Sequence, residues 1–307
     1  MSETPVVDLQ GVARAFGRVV AISELTVNVP RGSVAVLLGP NGAGKTTAIR
    51  LITGALRPQK GTVRVFGADP LSSGESIRQR CGVVAAKPAL YDRLTGRDNL
   101  KYAAELYGVP GGDAPIDEAA DRFGISGALD LRVGGYSTGM KSRLALARAI
   151  LHDPELLLLD EPTAGLDPEA SRAVLALIDW MASTGKTVVM CTHLLVEAEG
   201  IADQVVIVDR GASIVSGSPK ELANRYWPPT LVIDAEDRTK LFERLDRMEG
   251  IVSFERNGHA LLELDDLKRV PDMVIALTKA GIRLTRVEPV TPSLEELYFA
   301  IQKEGTK

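Results

Sequence analysis

Cysteine is scarce: the 307 residues contain two, Cys81 and Cys191, with no close-spaced metal or redox motif around either. That scarcity excludes a disulfide framework and predicts two reduced thiols, packed in the interior of a cytosolic protein. No uncharged apolar run reaches eighteen residues, so no segment is expected to span a bilayer. The start, MSETPVVDLQ, lacks the basic stretch and apolar core of an export signal. Neither sign of charge dominates. Lys and Arg number 36 against 40 Asp and Glu, a net charge of −4, so the total charge points to neither nucleic acid nor an anionic membrane.

What is present is an ordinary soluble composition, 45% hydrophobic and 25% charged, in a chain long enough for one large domain and a smaller one. The runs SVAVLLG, ELLLLDEP, TVVMCTH and QVVIVDRG alternate with helical patterns. Near-continuous apolar strands suit a parallel sheet covered on both faces, which gives an α/β core. Residues from about 88 to 152 turn mostly helical and are expected to form an insert. The adjacent prolines of NRYWPPT break regular structure, so residues 223–230 are expected to be a linker. Beyond it, LVIDA, IVSFERNG, HALLELDD and IRLTRVEPV read as strands and RTKLFERLDRMEG, LKRVPDMVIALTKAG and SLEELYFAIQKEG as helices. Residues 231–307 are therefore expected to be a small α+β domain. It carries no catalytic constellation, since its lone His259 and scattered carboxylates read as surface or core residues, and a regulatory or dimer-stabilising role is expected of it.

The most specific motif is GPNGAGKTT, Gly39, Pro40, Asn41, Gly42, Ala43, Gly44, Lys45, Thr46 and Thr47, with a strand before it and helix-forming AIRLI after it. Its glycines let backbone N–H groups wrap phosphates, Lys45 reaches the β- and γ-phosphates, and Thr46 offers a hydroxyl to Mg²⁺. LLLLDEP delivers Asp160 and Glu161 to the carboxyl end of a buried strand, where open α/β sheets bind ligands. Asp160 is suited to Mg²⁺ and Glu161 to a water aimed at the γ-phosphate. YSTGM opens a long helix at Ser137, which alone reads as an ordinary N-cap.

Taken in order, GPNGAGKTT, YSTGM, LLLLDEP, AGLDP and CTH resemble the ATP-binding subunits of ABC transporters over residues 5–222, and most closely those of ABC-2-type exporters. The resemblance implies a P-loop ABC ATPase core with a mixed sheet and a helical insert. It implies ATP and Mg²⁺ as cofactors, Phe16, which on the sequence alone reads as a core residue, stacked on adenine, Asp167 as the loop carboxylate that communicates across a dimer, and His193 as the switch histidine on the γ-phosphate. A lone histidine without that context would read as structural. The resemblance also implies that Ser137 and the backbone of Gly139 bind the γ-phosphate of ATP held by a second subunit, in a homodimer or a heterodimer. Thr138 and Met140 depart from the usual glycine and glutamine of that segment.

A further departure lies in GVVAAKPALYDRLTG, where Ala86 stands at the position the family usually fills with a glutamine. With no pore of its own, a chain of this kind implies a separate membrane permease, docked near Tyr91 to Leu94, and a place on the inner face of the cell membrane. A soluble ABC-type ATPase acting on nucleic acid remains an alternative, although such relatives usually show two cassettes or a coiled-coil insertion. A regulatory module with weak hydrolysis is another, suggested by Ala86 and opposed by Lys45, Asp160, Glu161 and His193. A P-loop kinase or GTPase would lack the paired YSTGM and AGLDP segments.

Overall fold

Strand segments without polar alternation have no face to offer water, and VAVLL, LLLLD and TVVMCT, whose few polar residues lie at or near their ends, are buried along their whole length. They are central strands of a nine-stranded sheet in a computed structural model that describes residues 4–256 and 258–304. Residues 1–3 lie outside the described residues, as do Asn257 and residues 305–307 of the expected C-terminal domain. Contacts divide the chain into two compact units between Ser218 and Pro219.

The strands of the first unit are β1 (Val7–Phe16), β2 (Val19–Val29), β3 (Val34–Leu38), β4 (Lys60–Val65), β5 (Cys81–Val84), β6 (Leu156–Asp160), β7 (Thr187–Thr192), β8 (Gln204–Asp209) and β9 (Ala212–Gly217). Its helices are α1 (Lys45–Ile52), α2 (Gly74–Gln79), α3 (Gly96–Tyr107), α4 (Ala114–Arg122), α5 (Thr138–Ile150), α6 (Pro168–Ser183) and α7 (Leu195–Ala198). The spatial order is β4-β1-β2-β9-β8-β3-β7-β6-β5. Strands β8, β3, β7, β6 and β5 run parallel, whereas β4, β1 and β2 pair antiparallel and meet the rest through one parallel bridge, Glu24 to Ala212. The carboxyl ends of β3, β7 and β6 are thus neighbours, and each opens into a motif loop.

The helical insert comprises α3, α4 and α5, which pack on one another. Thr95 and Asp98 form a reciprocal capping box at the start of α3. Asn99, buried on the same helix, accepts from Tyr91 N at 2.8 Å and donates to Tyr91 O at 3.2 Å and to Thr95 O at 2.8 Å. A single amide therefore pins the loop from Tyr91 to Leu94 onto the insert.

In the second unit, β10 (Thr230–Ala235), β11 (Ile251–Arg256), β12 (Ala260–Leu264) and β13 (Leu284–Pro289) form an antiparallel sheet in the order β11-β12-β10-β13. The helices are α8 (Pro219–Tyr226), α9 (Arg238–Leu245), α10 (Val270–Lys279) and α11 (Leu294–Glu304). Leu231, Ile233, Leu241, Leu262 and Leu277 form a core of their own. Residues 223–226, read from sequence as linker, are the last turn of α8, whose Leu222 is buried and which packs against α11.

Candidate functional site

The turn from β3 into α1 is shaped by two glycines. A Cβ on Gly39 would lie 2.1 Å from Val208 O, and Gly44, the residue before α1, has φ 105°, a left-handed value that side chains disfavour. Among the described residues no side chain caps α1, so its first N–H groups and its dipole face the loop, the arrangement that holds anionic phosphates. Lys45, 6% exposed, donates from Nζ to Gly39 O at 2.7 Å and to Pro40 O at 3.2 Å. The loop thus folds around its own lysine.

The end of β6 supplies the acidic pair. Thr46 Oγ1 donates to Asp160 Oδ2 at 2.8 Å, while the buried Oδ1 of Asp160 has no hydrogen-bond partner among the described residues. Burial raises the Asp160 carboxyl above the usual aspartate range, and the Thr46 hydroxyl opposes that shift. An orphaned carboxylate oxygen beside a hydroxyl at the phosphate loop fits Mg²⁺, which takes few protein oxygens and fills its remaining positions with phosphate and water. Glu161 has φ 50°, an uncommon conformation for a side chain of this kind. Its Oε1 lies 3.2 Å from Lys45 Nζ, and its Oε2 lies 2.8 Å from Nδ1 of His193, just beyond β7. Four residues separated by up to 148 positions in sequence therefore converge because β3, β7 and β6 are adjacent.

Ser137 and Gly139 lie elsewhere. Ser137 caps α5 by accepting from Met140 N at 3.2 Å, and Asp167 caps α6 by accepting from the backbone N of Glu169 and Ala170. These backbone donors hold the Asp167 carboxyl below the usual aspartate range. Ser137, Gly139 and Asp167 line one open pocket of about 530 Å³ that includes neither Lys45 nor Glu161. Phe16, at the end of β1, is 41% exposed, with the Arg14 guanidinium 4.9 Å from the ring centroid, so it is not a core residue. Ala86 and Lys87 are exposed and share a smaller pocket of about 240 Å³ with Glu161 and Thr138. Cys81 and Cys191 are both buried and unpaired, and burial pushes the Cys81 thiol up to about 12.

A contact missing from the sequence reading is Glu197 on α7, which accepts hydrogen bonds from Thr163 and from Thr192. The available signal was an acidic residue four positions beyond His193, facing back toward the strand end.

A family model described as "ABC transporter" matches residues 22–164. The daunorubicin/doxorubicin resistance ATP-binding protein of Streptomyces peucetius is 33% identical over 306 residues, covering 97% of this chain and 92% of the relative. The bacitracin transport ATP-binding protein of Bacillus licheniformis is 30% identical over 297 residues, covering 96% of each. A solved structure of an ATP-binding subunit of an ABC transporter aligns with a TM-score of 0.66 at 27% identity, covering 72% of this chain and 93% of its own.

Proposed function

The chain belongs to the ABC transporter family of ATP-binding proteins, and from that premise we propose that it powers export by closing and reopening a nucleotide sandwich between two such subunits. It binds ATP and is an ATPase that drives transport, with the pore supplied by a separate membrane permease. Among the described residues no helix is long and apolar enough to cross a membrane. We place the subunit against the inner face of the membrane, docked through the loop from Tyr91 to Leu94. That loop is held by Asn99 and exposes both of its end side chains. Relatives named for drug resistance and bacitracin transport support export as the direction.

One observation carries the catalytic reading: the Glu161 carboxylate stands between Lys45 and His193, beside Asp160. Residues 39–47 wrap the phosphates of ATP, and Lys45 pairs with their β- and γ-oxygens. Thr46 and the free Oδ1 of Asp160 would hold Mg²⁺, which when bound neutralises charge developing on the phosphates. Glu161 orients the attacking water and accepts its proton, and His193 contacts the γ-phosphate. Phe16 offers its exposed ring to adenine.

The pocket of Ser137, Gly139 and Asp167 supplies the second wall, against ATP held by another copy or a close relative. Charge-assisted hydrogen bonds to the γ-phosphate then tie the subunits, and hydrolysis removes the tie. Replacing Asp160 by Asn tests the metal assignment. Mg²⁺-dependent phosphate release should fall on the order of 100-fold or more, while ATP binding without metal is retained. Wild-type turnover in the variant would overturn it.

A further inference from the structure

Glu197 takes no part in the arrangement above, yet its carboxylate is buried, 5% exposed, and among the described residues it has no ion-pair partner. Burying a carboxylate away from water is unfavourable unless hydrogen bonds replace the lost solvent. Its two oxygens are met instead by two hydroxyl groups. Oε2 accepts from Thr192 Oγ1 at 2.7 Å, and Oε1 accepts from Thr163 Oγ1. Thr192 Oγ1 in turn accepts from Leu194 N at 3.0 Å. Both neighbours of His193 are therefore tied to one side chain, Thr192 directly and Leu194 through it.

The third tether reaches the other half of the site. Thr163 sits two residues past Glu161, in the turn that begins with its left-handed φ of 50°. Pairing of β6 with β7 aligns the strands as far as Asp160 opposite Cys191, and the bond from Glu161 N to Cys191 O at 2.8 Å closes that ladder. Beyond it the two strands lead into separate turns. Among the described residues two side-chain links then hold the turns together: the contact between His193 and Glu161 itself, and the Glu197 bridge.

We propose that Glu197 is a positioning residue for ATP hydrolysis: its carboxylate ties the His193 turn to the Glu161 turn and fixes the spacing of the two side chains that meet the terminal phosphate. The proposal rests on the assignment of Glu161 and His193 to that phosphate. A network of hydroxyls around one carboxylate is sensitive to a single lost donor or acceptor, because any group left unpaired in the interior is destabilising. Small displacements of reacting groups have large effects on rate.

The test uses the full chain and Mg·ATP, with kcat and KM read separately and a thermal melt as folding control. Glu197→Gln keeps the shape of the side chain and removes one acceptor. It should lower kcat roughly 10- to 100-fold while KM for ATP stays within about twofold. Thr163→Val should do the same, and Thr163→Ser, which restores the hydroxyl, should recover the rate; this pair decides the matter if Glu197→Gln does not fold. Added to His193→Ala, Glu197→Gln should have no further effect, as expected of residues acting as one unit. A folded Glu197→Gln or Thr163→Val with unchanged kcat, or losses that add in full on the His193→Ala background, would overturn the proposal. Full turnover in His193→Ala alone would overturn the assignment of His193 itself and the proposal with it, a failure visible without touching Glu197.

Discussion

Glu161 differs from an ordinary strand-end carboxylate in three ways: its backbone is left-handed, a buried lysine stands 3.2 Å from one oxygen, and a histidine 2.8 Å from the other. Such backbone conformations carry roughly 1–3 kcal/mol of strain and persist where the surroundings over-determine them, as in catalytic turns. Ala86 is the opposite case, a methyl group exposed in the pocket it shares with Glu161, able neither to ligate a metal nor to hold a water. Restoring an amide there adds one hydrogen bond at the reacting centre, worth roughly 1 kcal/mol, or about fivefold in rate. Ala86→Gln should therefore raise Mg²⁺-dependent turnover several-fold in a phosphate-release assay, and an unchanged or lower rate would contradict the alignment of Ala86 with the family glutamine. At this scale the phosphate loop and the Asp160–Glu161 pair were legible because their chemistry is written in contiguous residues. The Glu197 bridge was not, because Thr163 and Glu197 lie 34 positions apart and meet only through strand pairing.

Elements were legible where burial is complete. Strands β3, β6 and β7 carry no polar alternation and announce themselves as apolar runs. The antiparallel strands β1 and β2 went unread: their buried positions are interrupted by exposed ones, and register shifts at Leu9/Val12, Val12/Arg14 and Arg14/Ala15 break the period of two. Helix α8 was divided between domain and linker because Pro228 and Pro229 mark the end of a helix without revealing where it starts. The starts of β6, β5 and β3 are fastened by Glu155, just ahead of β6, whose carboxylate meets Arg80 at 2.6 Å and Arg31 at 2.8 Å. The hydrogen bond from Arg80, then that from Arg31, holds the Glu155 carboxyl down at about 2, against an ordinary 4.5. The stabilisation is thus fully present above about 4.5 and lost as pH falls toward about 2. The side chain is 40% exposed, so solvent screening keeps the effect at neutral pH to about 1 kcal/mol or less. Denaturant melts of Glu155→Gln should show that small deficit at pH 7 and its disappearance in acid, whereas a deficit independent of pH would point to lost packing instead.

For the whole molecule, the decisive feature is that the candidate site is split between two places on one chain. Lys45, Asp160, Glu161 and His193 converge at the carboxyl ends of β3, β6 and β7, while Ser137, Gly139 and Asp167 line a separate open pocket at the starts of α5 and α6. On the proposed reading a phosphate is gripped by the first set of one chain and the second set of another, and ATP favours that closed pair only by binding it better than the open one. The most direct measurement is the solution mass, by light scattering, of the Glu161→Gln chain, in which the bridging γ-phosphate survives. The account predicts twice the chain mass with Mg·ATP, the single-chain mass with Mg·ADP, and loss of the ATP-dependent doubling when Ser137→Arg is added. A single-chain mass at saturating Mg·ATP, or doubling indifferent to the nucleotide and to Ser137, would contradict it.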